Sequence, residues 1–166
     1  MLLRRRNRQW DAQPTARCRV LLASDGRTDF TRRAVAEAAA LAGDAPAAVL
    51  TIARVYGTSY GIQNPGLLPT KKEMAERLSW VSRAVKALEK RGLEVDGQVA
   101  ATRKPARQIM RVALARGAEV VVIDETAATG WRRRVEGDIG AQVARSLRKH
   151  GVEVRVIPHD AHTLKV

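Results

Sequence analysis

The chain has 166 residues, enough to bury a substantial core in one domain. Apolar residues make up 45% of it, and no apolar run approaches the length of a bilayer crossing, which sets membrane insertion aside. The single cysteine excludes an intramolecular disulfide and a cysteine-rich metal site, while a formal net charge of +13 permits nucleic acid or another acidic partner.

Residues 1–16 carry Arg4, Arg5, Arg6 and Arg8 against one acid, Asp11, and show no apolar periodicity. They read as a basic, disordered tail that Trp10 could pin to the domain. No apolar core follows their charges, so a secretory signal is not expected, and with the lone cysteine this points to a reducing, cytoplasmic setting. A single domain is expected over 17–158, with a C-terminal tail at 159–166.

The first strand is expected over 18–23, an apolar run in which Cys18 is a buried small hydrophobe. It ends in the turn residues Ser24, Asp25 and Gly26. A helix follows with Ala34, Val35, Ala38 and Leu41 on one face, capped by Thr28 or Asp29 and stopped by Gly43. A second buried strand spans 47–53 and ends on Ala53. The segment 54–69 holds Gly57, Gly61, Pro65, Gly66 and Pro69 with Tyr56 and Tyr60 among them, which forbids regular structure. It reads either as an irregular connection anchored by the tyrosines or as a functional loop over the sheet edge.

Thr70 and Glu73 form a capping box for a long helix striped by Met74, Leu78, Val81, Val85 and Leu88. Trp80 lies off that stripe and is expected to meet a partner subunit or the preceding loop. Leu93, Val95, Val99 and Ala101 alternate with polar residues, as in an edge strand with one exposed face. Pro105 opens a third helix with Ile109, Val112 and Ala113 inward. A fully apolar strand over 120–123 leads into a polar loop, 124–134. A fourth helix then opens near Gly137 and Asp138 and is striped by Ile139, Val143 and Leu147. Val152, Val154 and Val156 alternate in a last strand over 152–157 that ends on Ile157.

Alternating strands and helices with right-handed crossovers imply an α/β three-layer sandwich around a five-stranded parallel sheet. The long segment after the second strand carries the chain outward, which gives the strand order 3-2-1-4-5. The switch point then lies between strands one and four, where open sheets of this kind bind ligands. Asp25 and the 124–134 loop face one another there.

These pieces resemble the universal stress protein family, within the adenine nucleotide alpha hydrolase-like fold. The resemblance rests on the strand ending in Asp25-Gly26, the helix carrying Arg33-Ala34-Val35, and the closing strand–loop–helix–strand. It implies a regulatory, stress-response module, commonly dimeric through the last strand, here 152–157. In the ATP-binding branch the loop after strand four reads Gly-x-x-Gly, nine residues, then Gly-Ser or Gly-Thr, and its backbone N–H groups hold phosphates. The resemblance places that motif on Asp124, Ala127, Gly137 and Asp138, of which only Gly137 is kept, with Gly130 as a turn residue and Asp25 at the adenine end. The candidate crevice is therefore Asp25, Ala53, Asp124, Ala127, Gly130, Arg132, Gly137 and Asp138.

The departures have a physical sense. Alanine adds a Cβ where backbone must approach phosphate, and Asp138 would cap its own helix and repel an anion. Arg132, Arg133 and Arg134 either neutralise Glu125 and Glu136 or hold a phosphate from the rim. The expectation is weak, altered or absent binding of ATP or another adenine nucleotide, no required cofactor, no metal and no catalytic residue. No Gly-x-Gly-x-x-Gly and no Walker A sequence occurs, and no nucleophile–base pair can be named. His159 and His162 sit in the tail, and Ser24 beside Asp25 is turn chemistry. A slow ATP hydrolase is the least supported reading. The second reading is a basic nucleic-acid-associated protein, although the charge is scattered as on solvated helix faces.

Overall fold

The computed structural model describes residues 16–55, 68–125 and 138–158. Strands β1 (Val20–Ser24), β2 (Ala47–Arg54), β3 (Val95–Thr102), β4 (Val120–Glu125) and β5 (Glu153–Pro158) alternate with helices α1 (Arg32–Ala42), α2 (Lys71–Glu89), α3 (Pro105–Ala115) and α4 (Ile139–Arg148). All pairings are parallel, in the order β3-β2-β1-β4-β5. The expected sheet and its switch point between β1 and β4 are therefore present.

The period of two along each strand divides the core. Val20 and Leu22 of β1 face α1 and α2, together with Phe30, Val35, Val81 and Leu88. Leu21 and Ala23 face α3 and α4, with Ile109, Val112, Val143 and Leu147. Every residue of β1 is buried, as a central parallel strand covered on both faces requires.

Three local expectations are corrected. Helix α1 is capped by Thr31, whose Oγ1 accepts from the Ala34 N–H at 3.2 Å, not by Thr28 or Asp29. Asp29 instead takes both the Nε and Nη2 of Arg83 on Oδ2, at 2.9 and 2.6 Å, which ties the β1–α1 turn to α2. Trp80 is buried in the α1–α2 core rather than presented to a partner subunit, with the Arg77 guanidinium 4.4 Å from its ring centroid; most of the preceding loop, the other contact expected for it, lies outside the described residues. In β3 it is Ala100 that is buried and Ala101 that is exposed. The strand carries α2 on one face and α3 on the other, so Gly97 to Ala100 are all buried and the one-sided alternation fails. The capping box of α2 is present, with Thr70 and Glu73 exchanging bonds of 2.6 and 3.1 Å.

Near the start of β1, Arg116 is 2% exposed and grips Asp96 with two parallel bonds of 2.6 and 2.7 Å. Its Nε donates to the Ala16 carbonyl at 2.7 Å. Cys18 is buried beside this pair, as the sequence suggested. Burial pushes its thiol up to about 11, against the opposing pull of Arg116.

Candidate functional site

The turn after β1 is held from several directions. Ser24 Oγ and Thr51 Oγ1 lie 2.6 Å apart, both buried, which joins β1 to β2. The Gly26 N–H donates back to Ser24 Oγ at 3.3 Å. Asp25 is 2% exposed; its Oδ1 accepts from the Arg27 N–H at 3.0 Å and its Oδ2 lies 3.7 Å from Arg27 Nε. The Asp25 carbonyl accepts from Arg54 Nε at 3.3 Å. Gly26 has a φ of +81°, and a Cβ there would stand 1.7 Å from the Ile52 carbonyl oxygen. Only glycine fits a turn pressed this closely onto the β2 backbone. Ala53, at the end of β2, is buried in the core between the sheet and α1 and α2.

Asp124 and Glu125 are consecutive at the end of β4, so their side chains leave opposite faces of the sheet. Asp124 is 3% exposed, and its Oδ2 accepts from the Thr31 N–H at 2.6 Å, at the amino end of α1. Glu125 turns to the other layer, where its Oε1 accepts from the Gly140 N–H at 3.3 Å. Asp138 caps α4, accepting from the Ala141 N–H at 2.9 Å. Two backbone donors at the start of α4 are thus occupied by the protein's own carboxylates. A side chain at residue 140 would collide with this arrangement, since a Cβ would lie 2.8 Å from Glu125 Oε2 and 2.7 Å from Val156 Cγ2.

This packing has an electrostatic cost that falls on Glu125. Its carboxyl is held above the usual range, first by partial burial. The Gly140 N–H opposes that shift, while a side-chain hydrogen bond and negative charge from Asp138, and the charge of Asp25, reinforce it. A proton on Glu125 relieves like-charge crowding at the carboxyl end of the sheet. A bound phosphate would add to the crowding instead. Among the described residues no cluster of three histidine, cysteine or carboxylate side chains could hold a metal ion.

Of the residues singled out from the sequence, Asp25 and Asp138 both act electrostatically on Glu125. It places Asp124 at α1 and Ala53 in the core. Ala127, Gly130, Arg132 and Gly137 lie outside the described residues, as do Arg133, Arg134, Tyr56 and Tyr60. Sequence reading treated Glu125 as a loop charge to be neutralised. The signal that would have found it is its place next to Asp124 on a strand, which aims one carboxylate at each helix layer.

The family model described as the Universal stress protein family matches residues 17–150, and the chain belongs to that family. A search of curated proteins found no match. Among solved structures, the chain is similar to a universal stress protein in complex with cAMP, at 17% identity and a TM-score of 0.56, covering 87% of this chain and 100% of that one. It is similar to the universal stress protein from Archaeoglobus fulgidus, at 21% identity and a TM-score of 0.57, covering 83% of this chain and 91% of that one. The Archaeoglobus fulgidus protein in complex with dAMP is 22% identical, with a TM-score of 0.54 over 83% of this chain and 95% of that one. At these identities the likeness establishes the fold. It is a five-stranded parallel α/β sandwich, and no helix among the described residues is long and apolar enough to cross a membrane.

Proposed function

We propose that this chain is a non-enzymatic stress-response module of the cytoplasm whose nucleotide crevice binds phosphorylated adenine ligands weakly or not at all. One observation carries the reading: Glu125 and Asp138 fill two backbone donors at the start of α4, those of Gly140 and Ala141, and set two carboxylates where an anion would otherwise be held. Relatives were solved with cAMP and dAMP, so the ligand class to test is the adenine nucleotides. Each carboxylate that a phosphate must approach opposes the helix dipole, which is worth about 0.3–1 kcal/mol.

The test is calorimetric titration of the purified protein with ATP, AMP and cyclic AMP at moderate salt. No saturable heat is expected. Glu125→Gln combined with Asp138→Asn removes both charges yet keeps a capping side chain, and a measurable affinity for AMP is expected to emerge. Saturable ATP binding by the wild-type chain overturns the reading.

The module is further proposed to act as a homodimer through β5. Among the described residues that strand pairs only with β4, which leaves its other edge open, and its Val156 is 39% exposed. Sedimentation velocity distinguishes dimer from monomer, and Val156→Lys is expected to shift the population to monomer.

A further inference from the structure

The two helix layers differ in charge. On the α1–α2 side, acids and bases are mixed and several are paired: Arg83 with Asp29 at 2.6 Å, Arg77 with Glu76 at 2.7 Å, and Arg155 of β5 with Glu37 at 2.7 Å. On the α3–α4 side, neither helix contains an acidic residue. The outward row of α3 is Arg107 and Arg111, preceded by Arg103 and Lys104, all exposed. The outward row of α4 is Arg145, then Arg148 and Lys149, also exposed. The helices pack on the same face of the sheet, so the two rows form one surface.

This arrangement works against local helix stability. Arg103, Lys104 and Arg107 crowd the amino end of α3, the positive pole of its dipole. That end has no side-chain cap and no acid in its first turn. Arg107 and Arg111 are like charges four residues apart, a destabilising pair worth a few tenths of a kcal/mol. Among the described residues none of these cations is held by an acid. A surface that gives up local stability with no internal compensation is where an external partner is expected to supply it.

We propose that the outward face of the α3–α4 layer docks the phosphate backbone of nucleic acid without reading its bases. Arginine dominates the surface, and its planar fork suits phosphate oxygens. Of these two helices only Leu114 presents a large apolar side chain to solvent, too little for insertion into a lipid surface or for the apolar anchor of a protein interface. The inference does not depend on the state of the nucleotide crevice, which lies at the carboxyl end of the sheet.

The experiment is fluorescence anisotropy of a short labelled DNA duplex against the full chain, over a series of salt concentrations. Binding is expected, and it weakens steeply as salt rises. Replacing Arg107, Arg111, Arg145 and Arg148 by glutamine is expected to weaken binding at low salt at least tenfold and to reduce the log–log salt slope by about 3 to 4. The same four positions changed to lysine keep the charge and are expected to stay within a few-fold of wild type. Four glutamines at Lys71, Lys72, Lys86 and Lys90 remove equal charge from the opposite layer and are expected to change affinity about twofold. Circular dichroism of each variant confirms that its helices are retained. Equal losses from the two glutamine sets would show that net charge acts without a surface and would overturn the proposal. So would failure of the wild type to bind duplex at low salt, or capture of anionic vesicles or an acidic peptide in preference to duplex.

Discussion

The two ends of the sheet handle buried charge in opposite ways. Near the start of β1, Arg116 and Asp96 neutralise one another through two short bonds, and a third bond from Arg116 reaches the Ala16 carbonyl. At the carboxyl end, Asp25, Glu125 and Asp138 share one electrostatic neighbourhood, and Glu125 carries the cost as a raised pKa. The first arrangement ties three segments of the chain together and gives each nitrogen of the guanidinium a hydrogen bond. The second pairs Asp25 with Arg27 at 3.7 Å, while Glu125 and Asp138 accept hydrogen bonds but, among the described residues, form no ion pair. The difference teaches that donors at a helix start can be hydrogen-bonded by carboxylates and the site still be electrostatically unfavourable.

The sharpest break of this contrast is at the crevice turn. Gly26→Ala places a Cβ 1.7 Å from the Ile52 carbonyl at a φ of +81°, so β1 and β2 must separate. A loss of more than about 3 kcal/mol is expected, read as a lowered urea midpoint or as failure to accumulate folded protein. At the other end, Asp96→Ala leaves a nearly buried guanidinium without its counter-charge. Removing one member of a buried pair costs about 3–5 kcal/mol, and the partial wetting of Asp96, 23% exposed, lowers the expectation to about 2–4 kcal/mol. Urea denaturation of Asp96→Ala and Arg116→Met together tests the account: the double variant is expected to recover part of the loss, because no buried charge is left uncompensated.

A smaller effect is expected at Cys18, which lies beside that pair. With its thiol near 11 and its side chain buried, it should react with a thiol reagent only as fast as the domain opens. Cys18→Ser buries a hydroxyl in place of a small hydrophobe, at a cost of about 1–2 kcal/mol. Rapid labelling of native protein at neutral pH would contradict the burial on which both expectations rest.

Much of the fold was legible because the sequence punctuates it. Apolar strands, the Thr70–Glu73 box and Pro105 at the start of α3 fall where the elements begin. The order β3-β2-β1-β4-β5 followed from alternation and right-handed crossovers. What escaped depended on tertiary neighbours. Thr31 caps α1 because Asp124, far along the chain, receives its backbone N–H. Trp80 joins the core cluster on the α1–α2 side, with Arg77 over its ring. Ala100 replaces Ala101 inside because α3 covers a face that an edge strand would otherwise leave to water. In the crevice, Asp138 was readable as the cap of α4 from its type and place. Glu125 was not, because its role depends on which face of β4 it leaves and on bare backbone at Gly140.

The smallest effect expected is also the most direct test of the crevice. Glu125 is held more firmly protonated in the folded chain than its ordinary value of 4.5, so the folded state binds the proton more tightly than the unfolded one. Its contribution to stability is therefore fullest below pH 4.5 and is lost as pH rises through the folded pKa. Glu125→Gln mimics the protonated form: its amide oxygen can still accept from Gly140, and its amide nitrogen can donate to Asp138. The variant is expected to match wild type at low pH and to exceed it at neutral pH. Urea midpoints of the two proteins, measured at intervals from below pH 4.5 up to pH 8, read the difference directly. Parallel curves would mean that neither burial nor the charges of Asp138 and Asp25 act on Glu125, and the contrast between the two ends of the sheet would then reduce to geometry alone.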